Sequence, residues 1–143
     1  KFDVIFLNDV FEHVSDPVFV LEQLSEKLKP EGKIFIDTPR QFWIYPFTKL
    51  ISKAIYAKVL RGTVSTSHLQ IWSLAAFRLV AEKAGLTIQK IEFASEFTMP
   101  ASYYMRNMGI KNPLIRFFGS LFYRNAKYIS RNKIIAVLGK GSS

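Results

Sequence analysis

The chain of 143 residues carries 20 basic and 11 acidic side chains, a formal net charge of +9, with 49% apolar and 15% aromatic residues and no cysteine. That length suits one domain with a real core, and the apolar share excludes a disordered tail. The lack of cysteine excludes a disulfide framework and a thiolate metal site.

The charge is unevenly placed. Residues 1–39 hold four lysines against eight acids, a net of −4, and residues 40–143 hold sixteen bases against three acids, a net of +13. From Phe97 onward there are eight bases and no acid. An acidic front and a basic back point to a cationic partner at one and an anionic partner at the other, with a merely solvated surface as the plain alternative. Nothing at the amino end has the form of a signal peptide, and Lys1 in place of Met reads as the start of a piece of a longer or processed chain.

In chain order, Phe2–Leu7 predicts a strand that runs into Asn8-Asp9-Val10-Phe11-Glu12-His13. Asp16-Pro17 predicts a helix start, because Asp caps free N–H groups and Pro tolerates the first helical position. Val20, Leu21, Leu24 and Leu28 recur at helical spacing, Lys27 and Lys29 fall in the last turn, and Pro30-Glu31-Gly32 ends the helix. Ile34-Phe35-Ile36 is a continuous apolar run, as in a parallel strand covered on both faces, and it leads into Asp37-Thr38-Pro39. Strand, crossover and strand make a right-handed βαβ unit.

Gln41 to Gly62 shows two helical faces, Lys49, Ser52, Lys53 and Tyr56 on one and Phe47, Ile51, Ala54 and Ile55 on the other. Its lysines exclude a membrane-spanning helix. Thr63 to His68 is a polar loop. Ser73 caps a helix over Leu74–Ala84 with Leu74, Phe77, Ala81 and Ala84 inward, and Gly85 ends it. Leu86–Phe93 reads as a strand whose alternation slips at Gln89-Lys90, which predicts a bulge. Pro100–Arg131 reads as one or two amphipathic basic helices broken at Gly109–Pro113, and Lys133–Leu138 as a final strand. The resulting divisions are a strand-helix-strand core over 1–39, an amphipathic insertion and loop over 40–72, a helix and strand over 73–94, a basic helical lid over 97–131 and the last strand over 132–139.

Ligands of open α/β sheets bind outside the carboxyl ends of the strands, so Asn8, Asp9, Glu12, His13, Asp37 and Thr38 form the expected functional rim. His13 is a candidate general base, since the ordinary pKa of histidine lies near neutrality, with Glu12 beside it to orient the ring or cap the helix.

The run FDVIFLNDVFEHVSDPVFVLEQLSEKLKPEGKIFIDTP resembles the second half of class I S-adenosylmethionine-dependent methyltransferases, above all the subgroup with ubiquinone-type and small-molecule enzymes. The resemblance rests on Phe2-Asp3-Val4-Ile5, Glu12-His13-Val14, Asp16-Pro17, Leu28-Lys29-Pro30-Glu31-Gly32, Thr38-Pro39, Ser67-His68-Leu69 and Ala84-Gly85-Leu86 in order. It implies a Rossmann-like seven-stranded methyltransferase sheet of which this chain is the carboxyl-terminal portion. The last strand would insert antiparallel between the two before it, and residues 97–131 would be a basic helical insertion. None of the seven glycines makes the Gly-rich cofactor loop, and no ribose-binding acid follows a second strand. The strand Val4–Leu7 would then pair with another chain, as in a homo-oligomer, or with a front half outside these residues.

The resemblance implies S-adenosylmethionine as cofactor, with Asn8, Asp9 and Val10 beside its methionine portion, His13 as the catalytic group, and Arg40, Phe42, Trp43 and His68 around a small-molecule or lipid-like acceptor. No metal is expected. The alternative set Asp9, Glu12, His13 and His68 resembles the acidic-and-His pattern of small-RNA 2′-O-methyltransferases that bind a divalent ion. A non-catalytic module that uses the basic back on an anionic membrane surface, or less readily on RNA, is the competing reading. The expected location is cytoplasmic, peripheral to the membrane if the basic back binds lipid.

Overall fold

The computed structural model describes residues 1–40, 52, 54, 68–95, 100–126 and 131–141. The chain divides into two compact units, one of Lys1–Gln41, Leu69–Ala94 and Asn132–Ser143, the other of Phe42–His68 and Ser95–Arg131. The helical faces expected over 41–62 lie outside the described residues, apart from isolated positions 52 and 54.

The first unit contains β1 (Phe2–Asn8), a 3₁₀ turn (Phe11–His13), α1 (Pro17–Lys27), β2 (Leu28–Pro39), α2 (Leu74–Lys83), β3 (Leu86–Ala94) and β4 (Lys133–Lys140). The strands form one sheet in the order β1-β2-β4-β3. β1 and β2 run parallel, with Ile5 opposite Ile34 and Asn8 opposite Asp37. β4 runs antiparallel to both of its neighbours. The chain is therefore α/β with the last strand reversed between the two before it, as the resemblance implies.

The helices form where the sequence supplies both ends. The Asp16 carboxylate accepts the Phe19 N–H at 3.0 Å, and Pro17 opens α1. The Ser73 hydroxyl accepts the Ala76 N–H at 3.1 Å, and Gly85, with φ at 68°, turns the chain out of α2. One face of the sheet lies under these helices. Leu21 of α1 and Phe77 and Ala81 of α2 join Ile34, Ile36, Ile134, Ala136 and Leu138 in a single buried core. The alternation slip at Gln89 is a bulge in the β3–β4 register between Ile88 and Lys90. It keeps Ile88 and Ile91 both packed on the core, which strict alternation would not.

One expectation changes. The helix stops at Lys27, and Leu28 is already the buried first residue of β2. Phe2 pairs with Leu28 and Val4 with Lys33, so residues 29–32 bulge out of the parallel ladder. Lys29 thus leaves the helix end. Its ammonium grips both Asp3 carboxylate oxygens, at 3.0 and 2.9 Å, and holds that carboxyl below the usual carboxylate range. Tertiary pairing overrides the local stop signal of Pro30-Glu31-Gly32.

The sheet's other face carries Val4 and Phe6 of β1, Phe35 of β2 and Ile135 of β4. Phe6 stacks on Phe35 with centroids 4.9 Å apart yet is 70% exposed. β1 is an edge strand of the four.

The second unit contains α3 (Ala101–Asn107) and α4 (Pro113–Ala126). They flank the expected break, where Gly109 has φ at 67°. Asn112 caps α4 by accepting the Leu114 and Ile115 N–H groups at 2.9 and 3.2 Å. Tyr104 and Tyr123 stack at 5.1 Å, and burial pushes the Tyr123 phenol up, so it stays neutral.

Gly32 is the tightest point of the bulge. A Cβ there would lie 2.7 Å from Leu28 Cγ and 2.9 Å from the Phe2 carbonyl oxygen, a backbone atom that cannot swing away. Gly32→Ala should lower stability by about 1–3 kcal/mol, read as a lower urea midpoint with an unchanged slope.

Candidate active site

The rim begins where β1 runs out. Asp9 adopts φ 49°, the left-handed region in which Asp is among the tolerated residues. Its N–H donates to the Asp37 carbonyl at 3.0 Å, which carries the β1–β2 ladder one step beyond the strand. The chain then dives inward at Phe11. That ring is wholly buried, stacked on Trp72 at 4.9 Å and edge-on to Phe77 at 5.9 Å. This aromatic trio pins the 3₁₀ turn, and so fixes the two residues that follow Phe11.

Glu12 is wholly buried. Thr38 donates its hydroxyl to Glu12 Oε2 at 3.0 Å. The Glu12 backbone carbonyl accepts the N–H groups of Leu69 and Gln70 at 2.9 and 3.0 Å, tying the returning chain to the turn. His13 Nε2 stands 3.9 Å from Glu12 Oε1, too far for a hydrogen bond but close enough for a protonated imidazole to feel the carboxylate. The His13 side chain is 38% exposed, so it is reachable from solvent, whereas Glu12 is not.

Asp9 and Asp37 meet a residue the sequence reading passed over. Lys133 Nζ lies 3.0 Å from Asp9 Oδ1 and 3.0 Å from Asp37 Oδ2, and the lysine is only 6% exposed. Two carboxylates and one ammonium leave the cluster formally at −1. The cause is topological. Because β4 is reversed, its first residue pairs with Pro39, at the carboxyl end of β2. A lysine that begins an apolar strand reads as a surface residue until that reversal is known.

The structure therefore brings Asn8, Asp9, Glu12, His13, Asp37 and Thr38 to the same strand ends but splits them. Asp37 sits on the open face with Lys133, while Thr38 and Glu12 are buried on the helix-covered side. Asn8, Asp9 and Val10 are exposed. The Arg40 guanidinium lies over the Phe93 ring, 4.1 Å from its centroid, and the Arg40 N–H donates to the Asn132 carbonyl at 2.6 Å. Phe42 and Trp43 lie outside the described residues. His68 is half-buried and is the last residue of its stretch of the second unit. Of the divalent-ion alternative, Asp9 Oδ1 lies against Lys133, Glu12 Oε2 accepts the Thr38 hydroxyl, and Glu12 Oε1 is turned toward His13 Nε2.

Replacing Lys133 by Met should leave two carboxylates without their shared cation and destabilise the chain by ~1–3 kcal/mol, less than a fully buried pair because Asp9 is partly solvated. Adding Asp37→Asn should recover part of that loss in chemical unfolding. Thr38→Val should cost ~1–3 kcal/mol, since it strips a buried carboxylate of its donor.

The sequence and the fold are similar to those of known proteins. A family model for a methyltransferase domain matches residues 1–91. The ubiquinone biosynthesis O-methyltransferase of Pseudomonas aeruginosa (strain UCBPP-PA14) is 32% identical over 94 residues, which cover 61% of this chain and 40% of that protein. A Bacillus halodurans C-125 structure with a provisional methyltransferase designation superposes with a TM-score of 0.63 at 13% identity, covering 99% of this chain and 65% of that one. Haemonchus contortus phosphoethanolamine N-methyltransferase 2, solved with phosphomonomethylethanolamine and S-adenosylhomocysteine, gives 0.52 at 15% identity, covering 99% of this chain and 34% of that one. The chain spans well under half the length of the curated relatives it matches. By the extent of the family match, the chain belongs to the class I methyltransferase-domain family, with the Rossmann-like fold of that family.

Proposed function

We propose that this chain is the carboxyl-terminal half of a methyltransferase catalytic domain that uses S-adenosylmethionine and methylates a small-molecule acceptor. The observation that carries the reading is the Asp9–Lys133–Asp37 cluster at the carboxyl ends of two parallel strands, in which Lys133 is buried and the Asp9 carboxylate reaches solvent. The methionine end of the donor bears an ammonium, a carboxylate and a sulfonium, a net positive charge that an acidic rim attracts while Lys133 suits the carboxylate. The residues present thus fit that end of the cofactor. The adenosine end calls for a Gly-rich loop that these 143 residues do not contain.

Bound S-adenosylmethionine supplies an activated methyl group, and the protein's task is to align it with the acceptor and exclude water. Asp9 would hold the cationic end, set in place by its left-handed backbone and by Lys133. Asn8 and Val10, exposed beside it, would line the same end. His13, exposed on a turn that the Phe11 trio fixes, would take the proton from an acceptor hydroxyl, and buried Glu12 would steady the resulting imidazolium. By the resemblance alone, Arg40, Phe42, Trp43 and His68 are the residues assigned to the acceptor.

The sheet supports the assignment to half of a domain. Parallel strands are ordinarily covered on both faces, and here the face bearing Phe6 is open and β1 is an edge. A preceding half would supply both the missing cover and the adenosine site. A cysteine-free chain has no oxidative cross-link to lose in a reducing compartment, which fits a cytoplasmic enzyme.

Calorimetry on the full-length protein tests the cofactor site. Asp9→Asn keeps a residue that tolerates the left-handed backbone and removes only the charge, so the Kd for S-adenosylmethionine should rise about tenfold or more. An unchanged Kd would remove Asp9 from the site. For His13→Ala, kcat should fall by roughly 10²–10⁴ with the Kd for the donor intact, and the acidic limb of the kcat profile should flatten. A variant that keeps both kcat and its pH profile would end the general-base assignment.

A further inference from the structure

Helix α4 has two unlike sides. One is occupied within its own unit: a Cβ on Gly119 would collide with Met105 Sδ, and Tyr123 stacks on Tyr104. The other side carries Leu114, Phe117, Phe118 and Phe122 at positions i, i+3, i+4 and i+8, a single apolar arc. These four are 55–67% exposed. Arg124, seven residues from Phe117, borders the arc, Lys111 stands just before the helix and Arg116 lies exposed on the stripe of Gly119 and Tyr123; no acid occurs after Phe97 to neutralise them.

We propose that α4 is an interfacial helix that docks this protein on an anionic lipid surface. Large rings on one side and arginines at the margin are the pattern by which a helix lies in the headgroup boundary, burying its apolar side ~5–10 Å deep. From the margin, the Arg124 stem can cover apolar surface while its guanidinium head reaches a lipid phosphate, and Arg116 and Lys111 add to the attraction at longer range. The helix does not cross. Its 14 residues span about 21 Å, short of the ~30 Å hydrocarbon core, and among the described residues no helix is long and apolar enough to do so. Anionic lipid is favoured over RNA by the arc itself. Four contiguous apolar side chains with no polar atom suit hydrocarbon, whereas a nucleic-acid groove interleaves its aromatics with cations along the track. The proposal stands apart from the methyl-transfer reading, and neither fails with the other.

Co-sedimentation of the full-length protein with vesicles is the test. Vesicles of equal parts phosphatidylglycerol and phosphatidylcholine should bind about tenfold tighter than pure phosphatidylcholine, with the difference shrinking as salt rises. Phe117→Ser with Phe118→Ser should abolish binding to both. Arg116→Gln with Arg124→Gln leaves the apolar arc intact, and should remove most of the preference for anionic vesicles while leaving weak residual binding. Far-UV circular dichroism checks that each variant is folded, and the arginine pair serves if the phenylalanine pair is not. Equal sedimentation of the folded variants and the natural sequence would overturn the proposal. So would binding of a single-stranded RNA oligonucleotide in place of vesicles, or a concentration-dependent self-association lost with the same phenylalanines.

Discussion

A single buried ammonium holds the functional end of the sheet together. Lys133 stands 3.0 Å from a carboxylate on each of two other segments, Asp9 beyond β1 and Asp37 on β2. Remove that cation and two acids face each other across neighbouring strand ends, a repulsion that would spread β1 from β2 where the ladder is already one bond from its finish. The reversed β4 is what allows the contact. A parallel last strand would begin at the far end of the sheet, and its first side chain could not reach the rim. The antiparallel insertion thus does more than fill the sheet between β2 and β3. It delivers a positive charge to the edge where two negative ones converge, and leaves a remainder of one.

The same rim shows a division of labour that follows from the pleat. Adjacent residues on β2 point to opposite faces, so Asp37 and Thr38 cannot serve one pocket. Asp37 goes to the charged cluster, while Thr38 goes inward to the Glu12 carboxylate. A fully buried glutamate is costly unless its oxygens are engaged, and the Thr38 hydroxyl engages Oε2 while Oε1 lies 3.9 Å from His13 Nε2. Such a residue is well placed to hold His13 and badly placed to touch a substrate. Exposure separates the two carboxylates at the mouth of the site: Asp9 can meet a ligand directly, and Glu12 can act only through its neighbour.

How far the sequence disclosed this depends on the kind of signal. The parallel pair was legible because a continuous apolar run with a polar end has few other uses in a chain of this size, and α1 and α2 because caps and stops agreed with the hydrophobic stripe. The bulge in β3 was legible as a slip in alternation at Gln89, since only an extra residue lets Ile88 and Ile91 both face the core. The start of β2 at Leu28 was not, because Pro30-Glu31-Gly32 reads locally as a helix stop while the pairing that overrides it is with Phe2, far off in the chain. Phe11 and Trp72 looked like ordinary apolar residues in loops. Nothing local marks two rings, sixty residues apart, as the stack that fixes the turn before His13. Lys133 was hidden for the same reason: its role exists only once the strand order is known.

The charge asymmetry first seen as a count of residues takes on a spatial meaning in each unit. In the first, the acids that matter gather at strand ends beside one lysine, so the surplus negative charge sits where a cationic ligand would enter. In the second, bases accompany an apolar helical arc and no acid follows Phe97. A chain that needed only solubility could scatter its charges, and interspersed signs would serve it better than segregated ones. Segregation instead builds two local fields of opposite sign. A donor that is positive at its reacting end and a surface that is negative throughout would each be drawn to the unit that suits it, and each would be repelled by the other. The two proposals made for this protein are therefore compatible on electrostatic grounds: occupation of the acidic rim by a small cation would leave the basic helix free for lipid.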